Sequence, residues 1–256
     1  LFMLGMAFVL GGLKFHVQEY NKVNARVLSS MLFIATVALL MPSAIAKANP
    51  DTAMMIGQPL SLALAILLIV SYGLSLVFSL KTHSKEFASE DHCEDSETPW
   101  PMGLALGALG GVTVLVALVS EVFVESVQVA AEDFGMSPAF VGFIVVALVG
   151  AAAEMVAAFS AARKNRLDLS VGIALGSASQ ITLFVAPVLV LASYFIGPKP
   201  MDLQFWPGAV VMILIAALTA NIVTSNGRSA WFVGVLLLML YLIYAITLYL
   251  LPPGSA

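Results

Sequence analysis

Seven apolar stretches, each ended by a short polar connection, dominate the chain: residues 26–46, 57–80, 101–124, 138–162, 168–195, 205–223 and 230–251. Each is long enough for the roughly 20 helical residues that cross a hydrocarbon core. Helix is the expected form, because lipid offers no partners for backbone N–H and C=O groups. An eighth stretch, residues 1–13, is apolar but only about two-thirds of a span. It starts without a methionine, a cap or a charged flank, and no basic segment precedes it as in a signal peptide. It reads as the second half of a helix whose first half lies before Leu1. The expected fold class is therefore an all-α polytopic membrane protein with seven full transmembrane helices plus one partial N-terminal helix. Pro138 is expected to open a helix and Pro187 to kink one.

Composition changes this picture little and narrows the function. Of 256 residues, 61% are hydrophobic and 10% charged, with a mean hydropathy of +1.01. Soluble domains carry about 25% charged residues. The net charge of −4, without a long basic cluster, excludes nucleic acid as a partner. Cys93 is the single cysteine, so neither an intrachain disulfide nor a thiolate metal site can form. His16, His83 and His92 all fall in polar connections.

Loop charges orient the spans. Lys14, Lys22, Arg26, Lys81, Lys85, Arg163, Lys164, Arg166 and Arg228 fall on one side, against Lys47 and Lys199 on the other. Residues 14–25, 81–100, 163–167 and 224–229 are thus predicted cytoplasmic, in an inner or plasma membrane. The connection 81–100 holds Glu86, Glu90, Asp91, Glu94, Asp95 and Glu97. It reads as a solvated linker between two membrane halves or as a weak cation-collecting segment. It lacks the alternating ligands and central glycine of an EF-hand loop.

One ionisable group stands out. Glu154 sits alone in an apolar, small-residue span, where a carboxylate costs roughly 2.5–3.5 kcal/mol on insertion scales and marks a functional site by default. Counted from Asn165, Glu154 and Gln180 lie roughly 16 and 22 Å along two consecutive antiparallel helices, both near the midplane. Gly150 to Ala153 precede the glutamate, and Gly172, Gly176 and Ser177 precede the glutamine. Small residues are expected to let the helices approach and the backbone loosen, freeing carbonyl oxygens. The candidate metal ligands are the Glu154 carboxylate, the Gln180 amide, the Ser177 hydroxyl and carbonyls near Gly150. An all-oxygen set suits hard cations such as Ca²⁺, Mn²⁺, Mg²⁺ or Na⁺. A carboxylate in apolar surroundings is held either protonated or beside a cation, so the two compete. Glu121 is a candidate relay or an interfacial acid, and Asp168 a capping residue at a helix start.

These residues resemble the calcium/proton antiporters of the calcium/cation exchanger superfamily. The resemblance is carried by Gly150…Glu154, by Lys164-Asn165-Arg166-Leu167-Asp168-Leu169 and by Gly176-Ser177-Ala178-Ser179-Gln180-Ile181. Leu4-Gly5…Gly11-Gly12-Leu13-Lys14, with Gln18 and Asn21, is similar to the end of that family's first repeat, and Ser79 to His83 to its exit into an acidic linker. The resemblance implies an inverted-repeat cation exchanger fold. Residues 1–80 would be the C-terminal part of the first repeat, 81–100 an acidic cytoplasmic linker and 101–256 the second repeat. The first-repeat glutamate motif would precede Leu1. Two positions depart from the family pattern: Ala151 stands in place of asparagine and Met155 in place of histidine.

The function expected is secondary active exchange of Ca²⁺, or a similar divalent cation, for H⁺ by alternating access, with Glu154 as the shared cation and proton site. The alternatives are Na⁺-coupled cation exchange, or an inactive truncated fragment. An enzyme is not expected, since intramembrane chemistry would need a second acid or a histidine in the membrane. No resident cofactor is expected. The partners are the transported ions and the lipid bilayer, with self-association into a homo-oligomer left open.

Overall fold

The computed structural model describes residues 1–82, 101–196 and 199–251. Helix α1 (Phe2–Phe15) is followed by strand β1 (Val17–Glu19) and by two long helices, α2 (Lys22–Ala48) and α3 (Pro50–Val77). A π-helical turn, Phe78–Thr82, continues α3. Next come α4 (Met102–Asp133), a single turn α5 (Pro138–Phe140), a π turn Val141–Val146 and α6 (Ala147–Gly150). Helices α7 (Ala152–Arg163) and α8 (Leu167–Gln180) follow, then a third π turn, Ile181–Val185, and α9 (Ala186–Ile196). Helix α10 (Pro207–Thr224), strand β2 (Arg228–Ala230) and α11 (Trp231–Leu250) complete the order. Among the described residues six helices are long and apolar enough to cross a membrane, and seven if the pair Pro138–Gly150 and Ala152–Arg163 counts as one broken span. This is an integral membrane protein of the helical class. Helix α1 is apolar but, at 14 residues, too short to span alone.

Helix limits follow local chemistry. The Asn21 side chain accepts from the N–H groups of Val23 and Asn24, which starts α2; such a cap contributes about 1 kcal/mol. Ser137 caps α5 through the Phe140 N–H at 3.1 Å, with Pro138 at the first helical position. Two expected boundaries move. Helix α3 begins at Pro50 rather than 57, because Asn49 caps it through the Thr52 N–H while Pro50 pre-sets the first turn. Helix α4 runs nine residues past 124, since alanine, glutamate and glutamine sustain helix after the apolar run stops. It ends at Gly135, which adopts φ +61° as Met136 N–H returns to the Ala131 carbonyl.

The chain forms two compact units. One holds Leu1–Ser89 and Ala152–Leu242, the other Glu90–Ala151 and Ile243–Ala256. The first unit has two cores. In one, Leu4, Ala7 and Phe8 of α1 meet Leu167, Val171 and Leu175 of α8, with Tyr20 and Leu237 alongside. In the other, Ala35 and Leu39 of α2 and Ala65 and Leu68 of α3 pack with Val190 of α9 and with Leu203. Helix α11 lies against α1 because glycines meet there: a Cβ on Gly234 would sit 2.5 Å from the Gly5 carbonyl oxygen. In the second unit the Ser137 hydroxyl donates to the Leu248 carbonyl at 2.6 Å, and Phe140 packs edge-on against Tyr249.

Strands β1 and β2 pair antiparallel, with Val17 opposite Ala230, Gln18 opposite Ser229 and Glu19 opposite Arg228. Gly227, at φ +74°, turns the chain into this ribbon, and its carbonyl accepts from Tyr20 N–H. The Lys14 ammonium donates to the Arg163 carbonyl and the Gln18 amide to that of Ala162. Residues 14–25, 163–167 and 224–229 therefore gather at one end of the first unit.

Candidate functional site

Helices α7 and α8 form a tight antiparallel hairpin. Lys164 and Arg166 N–H groups return to the Ala161 carbonyl, and Asn165 takes φ +61°, a left-handed conformation that asparagine tolerates better than most side chains. On α7, Ala158, Ala161 and Ala162 lie buried. A Cβ on Gly172 or Gly176 would meet no atom within 4 Å. The expectation that these glycines draw the two helices together is thus corrected. Both glycines leave open space instead.

Glu154 lies in the first turn of α7, half-buried, directly after a break in the helical ladder. The break is at Ala151, where φ is −96° and ψ 12°. A helix that stops leaves its last carbonyls without intrahelical partners, and one that starts turns its positive dipole end toward a nearby carboxylate. Loosened backbone before the glutamate, expected from the small residues, is present. Among the described residues the Glu154 carboxylate makes no hydrogen bond or ion pair. Gly150 ends α6 in the other unit.

Gln180 is the last residue of α8, exposed, and immediately precedes the π turn Ile181–Val185. A π turn widens the helix by one residue and often marks a functional position. Here Thr182 donates to the Ala178 and Ser179 carbonyls, and Pro187, which lacks an N–H, follows the widened turn in the first turn of α9. Gln180 lines a cleft of about 460 Å³ with Gly176 and Ser179 of α8, Leu28 of α2, and Ser75 and Ser79 from the end of α3. The Ser75 and Ser79 hydroxyls donate to the Tyr72 and Leu76 carbonyls, which leaves their lone pairs for a guest. Ser179 is committed elsewhere: it is buried and donates to the Leu28 carbonyl, tying α8 to α2.

Of the four expected ligands, only Gln180 lines this cleft. Ser177 is half-buried on α8 outside it, and Glu154 stands on the partner helix of the hairpin. Among the described residues no three His, Cys, Asp or Glu side chains gather to hold a metal ion. Ser75 and Ser79 carry no signal in the sequence beyond their spacing of four, which places them on one helix face. Asp168 lies in the first turn of α8, as expected for a residue that complements the dipole, but the cap position is Arg166 and makes no side-chain cap bond. Glu121 is exposed on α4. His83, His92 and most of the acidic linker lie outside the described residues.

Close relatives share this sequence and fold. A profile described as the sodium/calcium exchanger protein family matches residues 104–250. The chain is 38% identical over 266 residues to a Ca²⁺/H⁺ antiporter of Aphanothece halophytica, covering 98% of this chain and 71% of that protein. It is 37% identical over 255 residues to the Ca²⁺/H⁺ antiporter ChaA of Bacillus subtilis, covering 98% and 72%. The structure of native YfkE superimposes with a TM-score of 0.76 at 35% identity, over 97% of this chain and 70% of that one. The chain thus spans somewhat over two-thirds of the length of these relatives. It belongs to the sodium/calcium exchanger protein family and, within it, to the calcium/proton antiporters.

Proposed function

We propose that this protein exchanges Ca²⁺ for H⁺ across its membrane by alternating access, with Glu154 as the shared cation and proton site. The observation that carries this reading is the Glu154 carboxylate itself. It stands at the start of a half-helix, after a break in an apolar span, and is not consumed by a structural partner. In this reading Gln180 and the Ser177 hydroxyl, on the next helix of the same unit, supply further oxygens suited to a hard cation. The Ca²⁺/H⁺ antiporters it resembles support the choice of ions. Proton and cation compete for one carboxylate, so a proton gradient drives the cation the other way.

The gathering of residues 14–25, 163–167 and 224–229 at one end supports their common placement in the cytoplasm, since all three carry basic residues. In the same reading, residues 1–80 close a first repeat, 81–100 link, and 101–256 form a second.

The test is Glu154→Gln in membrane vesicles, with Ca²⁺ uptake driven by an imposed ΔpH. Uptake should fall to background while the variant remains folded. Retained ΔpH-driven uptake in Glu154→Gln would remove Glu154 from the mechanism. Uptake driven by an imposed Na⁺ gradient, and not by ΔpH, would replace the proton with Na⁺.

A further inference from the structure

Two side chains from the segment at and after the end of α1 reach the last turn of α7. Lys14 Nζ donates to the Arg163 carbonyl at 3.1 Å, and Gln18 Nε2 donates to the Ala162 carbonyl at 3.0 Å. Both carbonyls lie in the last turn, where i+4 partners run out; that of Ala162 also accepts from Asn165 N–H at 3.2 Å, and the Lys14 ammonium meets the negative end of the dipole. Gln18 Nε2 donates in addition to Asn165 Oδ1 at 3.0 Å, on the left-handed residue of the turn into α8. One amide thus holds both the end of the Glu154 helix and the turn that follows it.

Gln18 itself is fixed. It is 2% exposed and sits in the middle of β1, opposite Ser229, so the ribbon holds its backbone. Its Oε1 is buried without a partner and rests against Gly11, where any Cβ would overlap it. An orphaned buried acceptor is costly, and an apolar side chain of similar length would avoid that cost. The amide's donors are therefore what the site requires.

We propose that Gln18 is a positioning residue for exchange: it fixes the rotation and height of α7, and hence of Glu154, through a ribbon that stays closed during transport. The helical ladder is interrupted at Ala151, before α7, and the Lys14 and Gln18 bonds hold the helix at its other end. Without the pin, a slip of one residue would move the carboxylate by about 1.5 Å and turn it by about 100°. The functional part of this inference rests on Glu154 being the exchange carboxylate; the closed ribbon does not.

The experiment uses the natively expressed protein in vesicles, in a Cys93→Ser background. Gln18→Met keeps the length and loses the donors. Gly11→Ala leaves Gln18 in the sequence but displaces its amide, and in a helix alanine is otherwise favoured over glycine. Both should lower the maximal rate of Ca²⁺/H⁺ exchange about tenfold, the scale of a small misplacement of reacting groups. The half-saturating Ca²⁺ concentration should stay within about twofold, because binding oxygens are retained. A wild-type rate in Gln18→Met overturns the proposal.

A second pair tests the ribbon alone and decides the matter if the first variants do not fold. Glu19 and Arg228 face each other in register, and Cα atoms of such pairs lie about 4.5–5.5 Å apart, within reach of a disulfide. Their ion pair is solvent-exposed, so replacing it costs little. Oxidised Glu19→Cys/Arg228→Cys should exchange as fast as the reduced form. Exchange blocked by oxidation and restored by reductant shows a ribbon that must open, and overturns the proposal. Normal exchange by Glu154→Gln would instead defeat only the assignment of that carboxylate, leaving the disulfide result to stand.

Discussion

Removing the Ser61 hydroxyl should destabilise the protein more than removing that of Ser43, and the two losses should overlap. Residues 201–206 run without helix into α10, yet Leu203 is 1% exposed, so their backbone polar groups need partners. Ser61 of α3 accepts from Leu203 N–H at 3.1 Å, and Ser43 of α2 accepts from Phe205 N–H at 2.7 Å. Ser43 also reaches the Leu203 carbonyl, at a long 3.4 Å. Ser61→Ala orphans a fully buried N–H, at a cost of about 2–3 kcal/mol. Ser43→Ala orphans one that is half-buried, and about 1 kcal/mol follows.

With Leu203 released, Phe205 gains access to water. The double variant should therefore lose less than the sum, by about 1 kcal/mol of coupling. Equilibrium unfolding in mixed micelles gives all four corners of the cycle. Ser71→Ala is the control: its hydroxyl is exposed and bonds only the Leu67 carbonyl of its own helix, so it should be neutral. A Ser61→Ala variant as stable as wild type, or strict additivity, would refute this account of how the segment is held.

Glycine substitutions should split by sign. Gly176→Ala meets no atom within 4 Å and should stabilise α8 by about 0.5–1 kcal/mol while narrowing the cleft and slowing exchange, whereas a Cβ on Gly12 would lie 2.5 Å from Trp231 N, so Gly12→Ala should destabilise. Thermal unfolding beside vesicle exchange checks both, and equal shifts in the two variants would contradict the packing described. Burial pushes the Tyr20 hydroxyl up to about 12, and it donates to the Val223 carbonyl. The folded state holds this proton more tightly than the unfolded chain does, so its stabilising contribution is complete below about pH 10 and lost as pH rises toward 12. An alkaline phenolate titration of wild type against Tyr20→Phe should show one late-ionising group missing from the variant; its absence from the wild type would argue that Tyr20 is solvated.

The spans were legible because hydropathy alone decides where a helix can cross lipid, and Glu154 stands out in the sequence as the lone carboxylate of such a stretch. The helix starts at Asn49-Pro50 and Ser137-Pro138 have the same chemistry, yet only the second was legible, since Asp51 and Thr52 hold the apolar signal off until after the first cap. The π turns at 141–146 and 181–185 were invisible, because no residue type encodes them. Strands of three residues are too short to show alternation, so β1 and β2 could not be paired across about two hundred positions. Ser75 and Ser79 bond back to their own helix, as helical serines commonly do; that they also line one cleft with Gln180 is a tertiary fact.

Asn49 is the C-cap of α2 and the N-cap of α3 at once: its N–H bonds the Ile45 carbonyl at 2.9 Å, and its side chain accepts from Thr52 N–H. Helices of 27 and 28 residues are thereby joined through one non-helical residue. Neither can reverse its direction in the bilayer unless the other does too, and no loop is long enough to wait outside while one inserts. In biogenesis the two are expected to enter as a single helical hairpin, with Lys47 and Asp51 together at its tip. A protease or an inserted epitope tag aimed at that junction will find no flexible handle.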